Sequence, residues 1–128
     1  MSFPAIILRK SLGLYLSAKS DGTIILDKAP YIWSTTATLG AGQDIYSILS
    51  NNNSKYLAGD PSLLIKAGSC PLALMSTGTL LWFGGIAING HIPIYAVNLN
   101  ASLTVFSNQP IFDTAGDSEG WVVQTSSL

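Results

Sequence analysis

The apolar residues come in short bursts. Such runs are Ile6-Ile7-Leu8, Thr23-Ile24-Ile25-Leu26, Ser47-Ile48-Leu49, Leu63-Leu64-Ile65, Ile86-Ala87-Ile88 and Leu103-Thr104-Val105-Phe106, and those starting at Thr23, Leu63, Ile86 and Leu103 are bounded on both sides by Gly, Asp, Asn, Ser or Lys. Runs of three or four aliphatic and β-branched residues between turn formers read as strands. No segment keeps a helical period over three turns, and 12 Gly with 6 Pro are spread along the chain, which also argues against long helices. The pattern predicts an all-β chain.

The bursts recur. Tyr15, Tyr56 and Tyr95 each lie 15 residues before a proline, Pro30, Pro71 and Pro110. An apolar triplet precedes each Tyr at a fixed distance, a strand-like run starts at it, and a third run follows the next turn. The expected fourth strands end alike, at Trp33-Ser34-Thr35, Met75-Ser76-Thr77 and Val123-Gln124-Thr125. A period near 40 residues is the mark of a repeat architecture. Four strands in each of three copies predict a single domain of twelve strands, with units at roughly 5–45, 46–84 and 85–128. Closing them removes exposed edges, and the arrangement resembles a β-trefoil. A β-sandwich is the alternative, but it needs no such period. The chain stops three residues after Thr125, as expected if the last strand pairs with the first. Thirteen residues separate Pro110 from Val123, against three or four at the matching places. That spacing predicts an insertion of about nine residues in the third unit, carrying Asp113, Asp117 and Glu119. Insertions fall in surface loops, where recognition is often carried.

Composition narrows the function. The charged fraction is 10%, the hydrophobic fraction 48% and the formal net charge −1. A chain this apolar buries a core rather than staying disordered. Six scattered basic residues make no footprint for a phosphate backbone, so nucleic acid is not an expected partner. The single cysteine, Cys70, excludes an internal disulfide. The opening residues lack a basic n-region, and no apolar stretch is long enough to span a bilayer, so a cytoplasmic location is expected and membrane binding is not.

Catalytic chemistry is hard to assemble. Cys70 and His91 are the only Cys and His; a nucleophilic dyad also needs an orienting third group, and Cys70 reads as part of a turn before Pro71. Asp113-Thr114-Ala115-Gly116 lacks the second carboxylate that an aspartic-protease pair requires. One His and one Cys among scattered acids have no metal-ligand spacing, and Gly84-Gly85 is not followed by a phosphate-loop signature. The sequence predicts a binding protein that is not an enzyme and carries no cofactor or metal. Trp82-Phe83 are read as either an exposed recognition pair or a cap on the barrel end.

Size, the lack of a leader and of disulfides, and the opening Ser2-Phe3-Pro4 before the first strand resemble the small fungal β-trefoil protease inhibitors, the mycocypins and cocaprins. That resemblance covers the architecture of the whole chain and implies which loops would act. The segment Arg9, Lys10, Ser11, Leu12, Gly13, Leu14 and the segment Asp27, Lys28, Ala29, Pro30 match loops that enter papain-type clefts. Asn51, Asn52 and Asn53 match a loop presented to asparaginyl endopeptidase. A cocaprin-like protein would add pepsin-type proteases, with the acidic loop of Asp113, Asp117 and Glu119 a further candidate. The alternative is a carbohydrate-binding lectin similar to the ricin B group. Its Gln-x-Trp motif is not kept here: Tyr31-Ile32-Trp33 retains the Trp alone, and Asp21 and Asp60 fall out of register. Loops that differ between copies suit an inhibitor better than a repeated sugar pocket.

Overall fold

Alternation along the chain builds the strands. In β1 (Ser2–Arg9) Ala5, Ile7 and Arg9 are buried, while Pro4, Ile6 and Leu8 between them are half-buried. That period of two puts one face inward. A computed structural model of the chain describes residues 2–38, 45–50, 55–60, 62–63, 68–76, 81–83, 91–96 and 99–125; for 2, 3, 37, 38, 45–47, 49, 81–83 and 125 it describes the backbone alone. After β1 come β2 (Leu14–Ala18), β3 (Ile24–Asp27), β4 (Trp33–Thr38), β5 (Ile45–Ser50), β6 (Tyr56–Gly59), β7 (Ser69–Met75), β8 (Leu81–Phe83), β9 (Ile94–Ala96), β10 (Ala101–Phe106), β11 (Gln109–Asp113) and β12 (Val122–Thr125). The chain is all-β, with no α-helix among the described residues.

Every pairing among the described residues is antiparallel. β1 pairs with β4, β4 with β5, β5 with β8, and β8 with β9. A single bridge, Ile92 to Trp121, lies just ahead of β9 and β12, and β12 returns to β1. Hairpins β2–β3, β6–β7 and β10–β11 hang from β1, β5 and β9. β11 pairs with β7, and β3 lies against both.

The core repeats in a register of its own. Ile7, Ile48 and Ile94 are fully buried on β1, β5 and β9. Nine residues after each, Leu16, Leu57 and Leu103 are fully buried on β2, β6 and β10. Trp33 and Trp121 close over the first and third pairs. Their indole N–H groups donate to the carbonyls of Leu16 (2.9 Å) and Leu103 (2.8 Å). Those carbonyls would otherwise be unsatisfied inside the core.

This register corrects the one built on tyrosine and proline. Tyr15 and Tyr56 sit on second strands, opposite Leu8 and Leu49, but Tyr95 sits on β9, opposite Ser102 and Trp82. The residue that corresponds to Tyr15 in the last unit is Ser102. Pro30 lies between β3 and β4, whereas Pro71 and Pro110 lie within β7 and β11. Met75 ends β7, opposite Tyr56, rather than a fourth strand. The nine-residue insertion disappears as well. From Leu16 to Trp33 is 17 residues and from Leu103 to Trp121 is 18. The third unit only divides its length differently. β10 and β11 meet in a two-residue turn, with Ser107 and Asn108 at φ 51° and 61°, the primed geometry whose twist matches that of a hairpin. A longer β11–β12 connection takes up the difference. Leu63 is exposed in a bend outside any strand, while Leu64-Ile65 and Ile86-Ala87-Ile88 lie outside the described residues. The physical reason is burial. Half-buried aromatic side chains are tolerated on many pleated surfaces, whereas fully buried aliphatic ones must interdigitate and so set the register.

Candidate functional site

β1 turns into β2 through Lys10, Ser11, Leu12 and Gly13, all exposed. The N–H groups of Leu12 and Gly13 both donate to the Arg9 carbonyl, at 3.1 and 3.0 Å. Gly13 has φ 65°, and a Cβ there would meet nothing. Its absence of a side chain serves the backbone alone. Leu12, 42% exposed, is one of three large apolar side chains among the described residues that face solvent.

A buried ion pair lies under this turn. Arg9 ends β1 with its side chain 8% exposed. Its guanidinium forks onto Asp117, Nη1 to Oδ2 at 2.9 Å and Nη2 to Oδ1 at 2.8 Å. Nη1 also donates to the Gly120 carbonyl at 3.1 Å, and Nε lies 3.3 Å from Glu119 Oε1. The guanidinium carbon stands 4.8 Å from the centre of the Trp121 ring. Only a planar fork can take a carboxylate at two points while stacking on an aromatic face. Asp117 accepts two further bonds, from Thr104 Oγ1 at 2.8 Å and from the Gly120 N–H at 2.9 Å. Glu119 turns outward to the loop, accepting from Ser11 N–H at 3.1 Å and Ser11 Oγ at 2.6 Å. The β11–β12 connection therefore braces the β1–β2 loop from below and from the side.

These contacts set the protonation of the acids. Burial pushes the Asp117 carboxyl up, but the bonds from Arg9, Thr104 and Gly120 and the Arg9 charge outweigh it and hold the group below its ordinary value. Burial also raises Glu119, as does the Asp117 charge, while both Ser11 bonds and Arg9 lower it, with a net fall. A carboxyl held lower in the folded state stabilises the fold above its unfolded value, here 3.8 for Asp117. That contribution is lost as pH falls through the lower folded value. Urea unfolding measured from about pH 6 down to pH 2 should show a stability plateau that declines below about pH 4. The decline should be shallower in Asp117→Asn. An identical acid limb in the variant would mean that other carboxylates govern it.

The remaining candidates are dispersed. Leu14 is half-buried at the start of β2, opposite Arg9. Asp27 ends β3 and Lys28, Ala29 and Pro30 follow it, all four exposed, and the Asp27 carboxylate accepts from Lys28 N–H at 2.7 Å. No hydrogen bond or ion pair among the described residues ties this segment to the brace. Asn51, Asn52 and Asn53 lie outside the described residues. Arg9 and Asp113 are buried, and Asp117 is half-buried with its side chain 2% exposed, so these side chains hold loops in place. Asp113 is 5% exposed and accepts from the Ala115 N–H at 3.0 Å. Thr104, Gly120 and Trp121 also belong to the brace, and no sequence motif marks them. Arg9 and Asp117 are 108 residues apart, and no local pattern announces such a pair.

Cys70 is buried on β7 rather than placed in a turn. Burial and the Asp60 charge push its thiol up, against a weaker lowering by an Asp60 backbone bond. A thiol shifted that way is a poor nucleophile. Among the described residues no group of three His, Cys, Asp or Glu is placed to hold a metal ion, and no helix is long and apolar enough to cross a membrane. No protein-family model matches the chain, and no curated protein matches its sequence.

Proposed function

We propose that the chain is a non-catalytic β-trefoil that inhibits proteases through its surface loops, working in the cytoplasm and without a cofactor. The observation that carries this reading is the brace. The Lys10–Gly13 turn has its ends fixed by strand pairing, its middle tied to Glu119 and its base seated on the Arg9–Asp117 fork. A loop ordered before binding loses little entropy when it enters a cleft, which is how rigid inhibitors bind tightly. Leu12 stands exposed at the tip of that loop, the arrangement an apolar protease subsite would accept. Papain-type enzymes are the first target on this reading, with asparaginyl endopeptidase and pepsin-type enzymes further targets for the other loops.

The test is an inhibition panel of papain, an asparaginyl endopeptidase and pepsin. Inhibition of at least one enzyme is expected. For papain, Leu12→Asp should weaken inhibition by about 10–100-fold, the range for losing a buried apolar anchor. Leu12 is exposed, so the fold should survive the change. A panel with no enzyme inhibited at micromolar protein would end this reading.

A further inference from the structure

We infer that the end of the molecule where the three hairpins converge holds a binding site for a neutral pyranose sugar, separate from the braced loop. A cleft of 470 Å³ opens between the β2–β3 turn, the start of β6, the middle of β7 and Gln109 of β11. A second hollow of 370 Å³ continues from it past Lys19 and Asn108, sharing Thr23, Ile24 and Gln109. The first volume alone falls within the roughly 300–1,000 Å³ of small-molecule sites.

The lining is what points to a sugar. Ser20, Asp21, Thr23, Lys55 and Gln109 bring hydroxyl, carboxylate, ammonium and amide groups to one rim, over a floor that includes Leu72 and Leu74. Ligand pockets for apolar molecules carry few such groups. A cation would meet Lys55 and an anion would meet Asp21, so charged ligands gain little. A ring of hydroxyls can donate to Asp21 and Gln109 and accept from Lys55 at once, while its C–H face covers the leucines. Asp21 is already oriented. Its Oδ1 accepts the Thr23 N–H at 2.9 Å, and Gly22 takes φ 93° to close that turn. The side chains of Ser20, Lys55 and Gln109 make no hydrogen bond or ion pair to another described residue, so among these residues their polar groups face the cleft unspent. The site stands on one unit's hairpin turn and the flanks of two others. It therefore draws on three units at once.

The experiment is a titration of the isotope-labelled full chain, followed through its amide resonances, with glucose, galactose, mannose and N-acetylglucosamine and their disaccharides. At least one sugar should move the amides of residues 20–24, 55, 72–74 and 109, with a Kd near 1 mM, about what a shallow polar site supports. Asp21→Asn keeps an acceptor for Thr23 and so the turn. Together with Gln109→Ala it should weaken that binding at least about tenfold. Both variants should inhibit proteases as the parent chain does, because neither touches the brace. No movement at about 50 mM sugar would overturn the inference. So would shifts centred on residues 9–14, or a response of the cleft to acetate but to no sugar, which would make it an anion site.

Discussion

Replacing Asp117 by Ala is expected to destabilise the fold by about 3–5 kcal/mol, the cost of leaving a buried charge without its partner. Arg9 would keep its guanidinium under the first loop, 8% exposed, with both fork bonds gone. Thr104 Oγ1 and the Gly120 N–H would lose their acceptor as well. A domain stable by some 5–15 kcal/mol loses much of its margin to such a change. Asp117→Asn should also destabilise, because one amide nitrogen would face the guanidinium. Removing both charges, as Arg9→Met with Asp117→Leu, should recover a good part of the loss, since apolar replacement of a whole buried pair is often neutral. Urea unfolding followed by circular dichroism gives each value. A loss under about 1 kcal/mol in Asp117→Ala would show that Arg9 reaches water when its partner is removed, and the loop would then not depend on the pair.

Trp121→Ala should be as damaging, at about 3–5 kcal/mol, and Trp33→Ala close to it. Both indoles are fully buried, and each fills the space over one Ile–Leu pair of the core. Their N–H groups carry a separable share. Trp→Phe at either position keeps most of the volume but strands the carbonyl of Leu16 or Leu103, for about 1–3 kcal/mol. The two sites differ in what else they hold. Trp121 also supports the Arg9 guanidinium, so its loss should couple to Asp117 in a double-mutant cycle while the loss of Trp33 should not. Tyr31 packs beside Trp33, at 4.8 Å between ring centres, and gives that site its own neighbour. Equal coupling of both tryptophans to Asp117 would mean that the brace and the core respond as one unit.

These two effects rest on parts of the molecule that were unequally legible. The all-β class followed from local features, since turn formers and short aliphatic runs act within a few residues of each other. The register of the buried Ile and Leu residues does not follow from the Tyr–Pro spacing. The Tyr–Pro spacing was numerically neat, yet it joined residues on different strands. The spacing of the buried residues was also in the sequence: Ile7 to Leu16, Ile48 to Leu57 and Ile94 to Leu103 are each nine apart. Ile and Leu are common, and a match among common residues is weak evidence until burial selects it. The candidate loops include Arg9 and Asp117, whose side chains the fold turns toward each other. Isolated charges usually face solvent, and nothing local says that Arg9 and Asp117 are each other's partner.

The sequence alone determines short strands separated by tight turns, because propensity, turn chemistry and the inward–outward alternation are local. Tertiary structure alone decided which residues correspond between the units, that Arg9 and Asp117 meet across 108 residues, and that three hairpin ends share a polar cleft. Those outcomes depend on how distant segments share one buried space, and a pairing across that distance leaves no spacing for a reader of the sequence to find.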